Sequence, residues 1–176
     1  TMKKLALAGL MAATLTGCSS QEEPQVLNLY NWSEYMPQEV LDRFEEETGI
    51  QVVYTTYDSN EAMYARLKLL DDSGQYDLAL PSTYYVNKMR KEGLLEKINH
   101  EKLEGFEKLD PELTNLDIDP ENQYSVPYLW GTTGLAYDAN DVEGEEVTAW
   151  SDLWDEKYEG RVMLTNDMRE VFHIGL

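Results

Sequence analysis

The sequence predicts an α/β fold built on a mainly parallel sheet, and three observations carry that expectation. Short runs rich in β-branched and aromatic residues recur at 26–30, 50–57 and 77–80. Each is followed by a segment of helical length, at 37–48, 58–70 and 83–92. Gly49, Pro81 and Gly93 punctuate the junctions. Strands that alternate with helices of this length make βαβ units, whose crossovers lay successive strands parallel.

Each element has its own local reason. Residues 26–30 alternate as a strand, and 37–48 carry Pro37 near the first turn with Gly49 at the end, the favoured polarity for a helix. Residues 50–57 form the second strand. Asp58, three residues before Glu61, is an N-cap candidate, and Met63, Tyr64, Leu67 and Leu70 follow at helical spacing. The short strand 77–80 is stopped by Pro81, and the helix 83–92 is ended by Gly93. Beyond it Asp110-Pro111 and Asp119-Pro120 mark turns, so 99–123 reads as loop with a short helix. Residues 124–129 and 135–137 read as strands around a turn at 131–134. Residues 149–156 and 167 onward read as helices around a strand at 161–164. Residues 169–176 show no cap or stop signal, which predicts a chain cut short.

The 176 residues are 42% hydrophobic, enough for one domain with an adequate core. Thirty-four acidic against fourteen basic residues give a net charge of −20. Residues 1–17 hold Lys3, Lys4 and no acid, so their removal leaves −22. Such a field repels nucleic acid and attracts cations, or it serves solubility alone. Lys3 and Lys4 precede an apolar stretch at 5–15, about half of the ~20 residues needed to span a bilayer. Leu15-Thr16-Gly17-Cys18 follows and resembles the lipobox of bacterial lipoproteins. That resemblance implies a signal peptide at 1–17, lipidation of Cys18 and a tether at 18–25; an ordinary signal peptide with an incidental cysteine is the alternative. Cys18 is the sole cysteine, so no intrachain disulfide can form.

Several chemistries lack their residues. His100 and His173 have no second His or Cys at ligand spacing, and neither a G-x-S-x-G motif nor a phosphate-cradling glycine loop occurs. No catalytic residue, metal or cofactor is therefore assigned. Asp117, Asp119 and Glu121 are spaced like the start of a calcium loop. Asn122 stands where glycine is needed and Tyr128 where the closing glutamate should be, so the run reads as a solvated acidic turn.

Binding chemistry is present instead. Trp32, Ser33, Glu34 and Tyr35 crowd the turn after the first strand, and Ser82, Thr83, Tyr84 and Tyr85 the turn after the third. In parallel sheets these turns lie at the carboxyl ends of the strands, where ligands bind, so two of them converge on one cleft. Tyr85 reads as core, but Trp32 sits at a polar turn. Aromatic faces attract ammonium groups by roughly 0.5–2 kcal/mol and also cover methylenes, which suits an extended organic cation; sugars use the same rings. Asp167 and Glu170, three apart at a helix start, share one face and could grip an ammonium together or serve only the helix dipole.

Taken in order, these segments bring a family into view. Tyr30-Asn31-Trp32-Ser33-Glu34-Tyr35, Glu47-Thr48-Gly49-Ile50, Ser59-Asn60-Glu61, Pro81-Ser82-Thr83-Tyr84-Tyr85-Val86, Trp150-Ser151-Asp152-Leu153-Trp154 and Arg169-Glu170-Val171-Phe172 all contribute. The chain resembles the spermidine/putrescine-binding proteins of bacterial ABC transporters from residue 26 to residue 176. The resemblance implies a two-lobed periplasmic-binding-protein fold of type II that closes over a polyamine. The first lobe would be largely present at 26–133 and the second only begun at 134–176, because family members are roughly twice as long. Trp32, Glu34, Tyr35, Ser82 and Tyr84 would line the cleft from the first lobe, and Asp167 and Glu170 would supply carboxylates from the second. Ser33 stands where threonine is expected. The implied partners are a polyamine and an ABC permease, outside the cytoplasm, with no enzymatic activity. A polyamine sensor signalling to a membrane protein, and a surface lipoprotein acting on sugars through Asp167 and Glu170, are the rival readings.

Overall fold

The computed structural model describes residues 24–70, 74–142 and 147–176, so Cys18, the signal peptide and most of the tether lie outside the described residues. Three parallel strands form one sheet in the order β2-β1-β3, from β1 (Val26–Trp32), β2 (Gln51–Tyr57) and β3 (Leu78–Ala79). β1 pairs along its full length with β2, from Val26 opposite Gln51 to Trp32 opposite Tyr57. It meets β3 only at Leu29–Leu78 and Tyr30–Ala79. The crossovers are α1 (Gln38–Thr48) and α2 (Asn60–Leu70), and α3 (Thr83–Lys91) follows β3. The alternation read from the sequence is thus the topology found.

The helix ends show why these segments stop where they do. Gly49 takes a left-handed φ of +71° and donates its N–H to Glu45 O, closing α1 in a conformation that costs other residues a Cβ clash. At α2 the N-cap is Ser59, whose Oγ accepts from Ala62 N at 3.2 Å, in place of the expected Asp58. Asp58 is drawn instead to the Ser33 hydroxyl at 2.7 Å, across the turns that leave β1 and β2. Along β2 the outward N–H of Val52 donates to the carboxylate of Glu45 on α1.

One face of the sheet carries the aromatic core. Tyr30, Tyr57, Met63, Tyr85 and Met89 are buried together, with Met63 from α2 and Tyr85 and Met89 from α3. Tyr30 stacks on Tyr76 at 4.4 Å and meets the edge of Tyr57 at 4.8 Å. Leu29, one residue earlier, points to the opposite face and is also buried, as is Leu41 of α1. A parallel sheet covered on both faces is the expected arrangement.

The second half departs from the sequence reading. Residues 124–129, 135–137 and 161–164 are not strands. A strand exists only by pairing with a neighbour, and among the described residues the ladders join β1, β2 and β3 alone. Most of the apolar side chains of these segments stay exposed, Leu129, Tyr137 and Met163 among them. The helix expected at 149–156 resolves into two 3-10 turns, Trp150–Trp154 and Glu156–Tyr158. Four more 3-10 turns, at His100–Lys102, Phe106–Lys108, Pro111–Leu113 and Pro120–Asn122, replace the expected loop with one short helix. The acidic run is not simply solvated. Asp119 is buried, and its Oδ2 accepts from Tyr124 N, Ser125 N and Ser125 Oγ at 2.8–2.9 Å, satisfying backbone donors that no ladder takes up. The last helix, α4 (Met168–Ile174), closes at Gly175, whose N–H returns to Val171 O, where the sequence showed no cap.

Candidate functional site

The carboxyl end of β1 places Trp32 beside the core, 4.8 Å from the Tyr57 ring and 5.9 Å from Tyr35. The turn that follows is held at several points. Trp32 N donates to Asn31 Oδ1 at 2.8 Å, Ser33 N to Tyr57 O at 3.2 Å, and Tyr128 OH to Tyr35 O at 2.8 Å. Glu34 adopts a left-handed φ of 64°, an uncommon conformation for a residue with a Cβ, and its side chain is exposed. Tyr35 keeps 44% of its surface exposed, so this turn offers two neighbouring rings and a carboxylate.

The turn after β3 carries Ser82 and Tyr84, and α4 brings Asp167 to them. The Tyr84 hydroxyl donates to Asp167 Oδ2 at 2.7 Å, joining residues 83 positions apart in the chain. Asp167 is also the N-cap of α4, with Oδ1 accepting from Arg169 N and Glu170 N at 3.0 Å. The helix-start reading of this acid therefore holds together with a contact across the site. Burial alone would raise the Asp167 pKa. Hydrogen bonds from Tyr84, the Glu170 amide, Asn60 and the Arg169 amide outweigh it, and the carboxyl is held below the usual aspartate range. The same contact acts in reverse on Tyr84, whose hydroxyl is pushed up first by burial and then by its bond to Asp167. The Arg169 guanidinium lies 4.8 Å from the Tyr84 ring centre. Glu170, one position further, accepts from Thr133 Oγ1 at 3.0 Å.

Asn60, which the sequence reading left out of the site, stands at the middle of this group. It is fully buried, and its Nδ2 reaches Ser82 Oγ at 3.0 Å, Tyr84 OH at 2.8 Å and Asp167 Oδ2 at 3.3 Å, while its Oδ1 accepts from Ser82 N at 3.0 Å. The signal for it was topological: position 60 lies just past the carboxyl end of β2, the same sheet edge that carries the two aromatic turns. Tyr128 and Thr133 were missed because they reach the site from segments without secondary structure. Ser82, Tyr84 and Asp167 are thus brought into one hydrogen-bonded group, while Trp32 and Tyr35 form a second, linked to it through Tyr57, whose hydroxyl donates to Leu80 O. A cavity of about 290 Å³ is lined by Asp167 together with Ser59, Glu61, Asn166, Val171 and Phe172 among others. Among the described residues no group of acids, histidines and cysteines is placed to hold a metal.

Comparison with known proteins gives consistent matches. The pattern of a family described as bacterial extracellular solute-binding protein matches residues 39–176. The chain is 47% identical over 174 residues to the spermidine/putrescine-binding periplasmic protein of Escherichia coli (strain K12), covering 99% of this chain and 49% of the relative. The crystal structure of the TpPotD lipoprotein of Treponema pallidum superposes with a TM-score of 0.78 at 35% identity, over 86% of this chain and 47% of that one. The spermidine/putrescine ABC transporter substrate-binding protein PotD of Streptococcus pneumoniae gives a TM-score of 0.64 at 47% identity, over 76% of this chain and 41% of that one. The chain spans about half the length of the curated relatives it matches.

Proposed function

Because the chain belongs to the family of bacterial extracellular solute-binding proteins, we propose that it captures a polyamine, spermidine or putrescine, outside the cytoplasm for delivery to an ABC permease. Its fold is that of the two-lobed periplasmic binding proteins, of which it covers about half. In our reading residues 26–133 belong to the first lobe and 134–176 begin the second, so Tyr84 and Asp167 face each other from opposite sides of the cleft. Solute binding is not an enzyme class, and we assign no catalytic residue; the paired acids Asp167 and Glu170 bind rather than transfer protons.

The observation that carries the ligand class is the meeting of Tyr84 with Asp167 at 2.7 Å, beside Ser82 and with Glu170 on the same helix turn. A protonated amine needs acceptors within hydrogen-bond reach and a surface that tolerates its methylenes. The Asp167 carboxyl, held below the ordinary aspartate range by the hydrogen bonds it accepts, presents a negative charge to such an amine. Trp32 and Tyr35, 5.9 Å apart, extend an aromatic surface along the same edge, with Glu34 beside them. The 47% identity to a protein named as spermidine/putrescine-binding supports the same ligand. Calorimetry of the full chain is expected to show saturable heat with spermidine or putrescine and none with a neutral disaccharide. Binding of the sugar alone would overturn the reading in favour of the carbohydrate alternative.

Anchoring by a lipid on Cys18 belongs to the same proposal and rests on the sequence at 15–18. Among the described residues no helix is long and apolar enough to cross a membrane. The protein is expected in the membrane fraction, and Cys18→Ala is expected to release it. An unchanged membrane-bound fraction in that variant would refute the anchor and leave the ligand reading untouched.

A further inference from the structure

We propose that Asn60 is the positioning residue of this site: its carboxamide aims the Tyr84 hydroxyl at Asp167 and fixes Ser82 beside them. The proposal rests on the polyamine reading only for what the positioning is for. Asn60 is fully buried and lies at the first position of α2, just past the carboxyl end of β2. Its orientation is set by its neighbours, since Ser82 N can only donate and the Asp167 carboxylate can only accept. With the amide so placed, the Tyr84 oxygen accepts from Asn60 at 2.8 Å, which leaves its own proton to point at Asp167 Oδ2 at 2.7 Å. A chain of hydrogen bonds running in one direction strengthens each member and removes the alternative rotamers of the hydroxyl.

The consequence is a register between segments that sequence separates widely. Asn60 to Ser82 and Tyr84 ties α2 to the turn before α3, and Asn60 with Tyr84 to Asp167 ties both to α4. Two amide protons serve three acceptors, and the contact with Asp167, at 3.3 Å, is the weakest of them. Most of the influence of Asn60 on Asp167 therefore passes through Tyr84. Asn60 touches the site only from behind, and its effect on a ligand is transmitted by residues that would touch it.

Two variants separate positioning from folding. Asn60→Ala removes the whole amide, whereas Asn60→Asp keeps the shape and the acceptor for Ser82 N but sets a second carboxyl beside Asp167 that, when protonated, donates one bond at most. In the full chain, either is expected to weaken spermidine binding at least about tenfold by calorimetry. In a Tyr84→Phe background Asn60→Ala should cost no more than about twofold, because the hydroxyl that Asn60 aims is gone. Equal losses in both backgrounds would overturn the proposal, as would unchanged binding in Asn60→Asp. A reading without ligand covers the case in which the parent does not bind spermidine, which would count against the polyamine reading alone. The carboxyl of Asp167, assigned by carbon NMR with Asp167→Asn as reference, faces Tyr84 from α3, Arg169 and Glu170 from α4 and Asn60 from α2, with Glu61 nearby. Its midpoint is expected to rise towards that of an ordinary aspartate in Asn60→Ala. An unmoved midpoint would show that Asn60 does not act on Asp167.

Discussion

Both oxygens of Asp167 are engaged by the protein itself, Oδ1 by two amides of α4 and Oδ2 by Tyr84 and Asn60. A carboxylate so committed still presents its charge, but an ammonium must share Oδ2 or displace Tyr84 from it. Glu170 is less committed, with Thr133 on one oxygen. Removing one partner of a hydrogen-bonded charge pair in a desolvated site costs on the order of 2–5 kcal/mol. Glu170→Gln and Asp167→Asn are each expected to weaken polyamine binding at least about tenfold, roughly 1.4 kcal/mol. Asn at 167 can still cap α4, so the unliganded melting temperature is expected to move little in either variant. Calorimetry with thermal melts checks both, and affinity within about twofold of the parent for both would remove these residues from the site. Sequence spacing put the two acids on one helix face. It could not show that Tyr84 would reach Asp167, because that contact spans 83 residues and depends on the tertiary fold.

Among the elements, β1 to α3 were legible because each is specified by its own residues: β-branched runs for strands, Gly49 and Gly93 for stops. Gly49 makes the point quantitatively. Its φ of +71° is left-handed, and beyond its own chain neighbours an added Cβ would meet nothing within 4 Å, so substitution costs local backbone strain alone. Gly49→Ala is expected to destabilise by about 1–2 kcal/mol, read as a lowered urea midpoint with unchanged slope; a midpoint equal to the parent's would contradict the assignment of the helix end. The stretch 124–164 was misread for the opposite reason. Apolar patterning there specifies which side chains want cover, but strand formation needs a partner ladder that local sequence does not name. Asp119 was misread likewise, since a carboxylate just before a proline in an acidic run reads as surface until Tyr124 and Ser125 are seen to turn their amides on it.

For the whole molecule, the placement of the candidate site residues was legible in outline because one topological rule does most of the placing. Parallel strands send their carboxyl ends to one edge, so Trp32 and Tyr35 after β1, Asn60 after β2, and Ser82 and Tyr84 after β3 had to gather there. What the rule does not give is the contribution of α4, which follows β3 by nearly ninety residues. The net charge of −20 adds a long-range field that favours cations near this edge without choosing among them.

The Glu45 carboxylate that takes the outward N–H of Val52 has a bearing on solubility. Among the described residues β2 is a rim of the sheet, seven residues without a charge or a proline, the composition from which stacked intermolecular sheets grow. A strand arriving from another molecule would look for that amide and find it already bound. To dock there it would have to displace a carboxylate and leave that charge partly dehydrated beside it. A single acid reaching down from the crossover helix thus takes up one of the amides through which such a strand would dock.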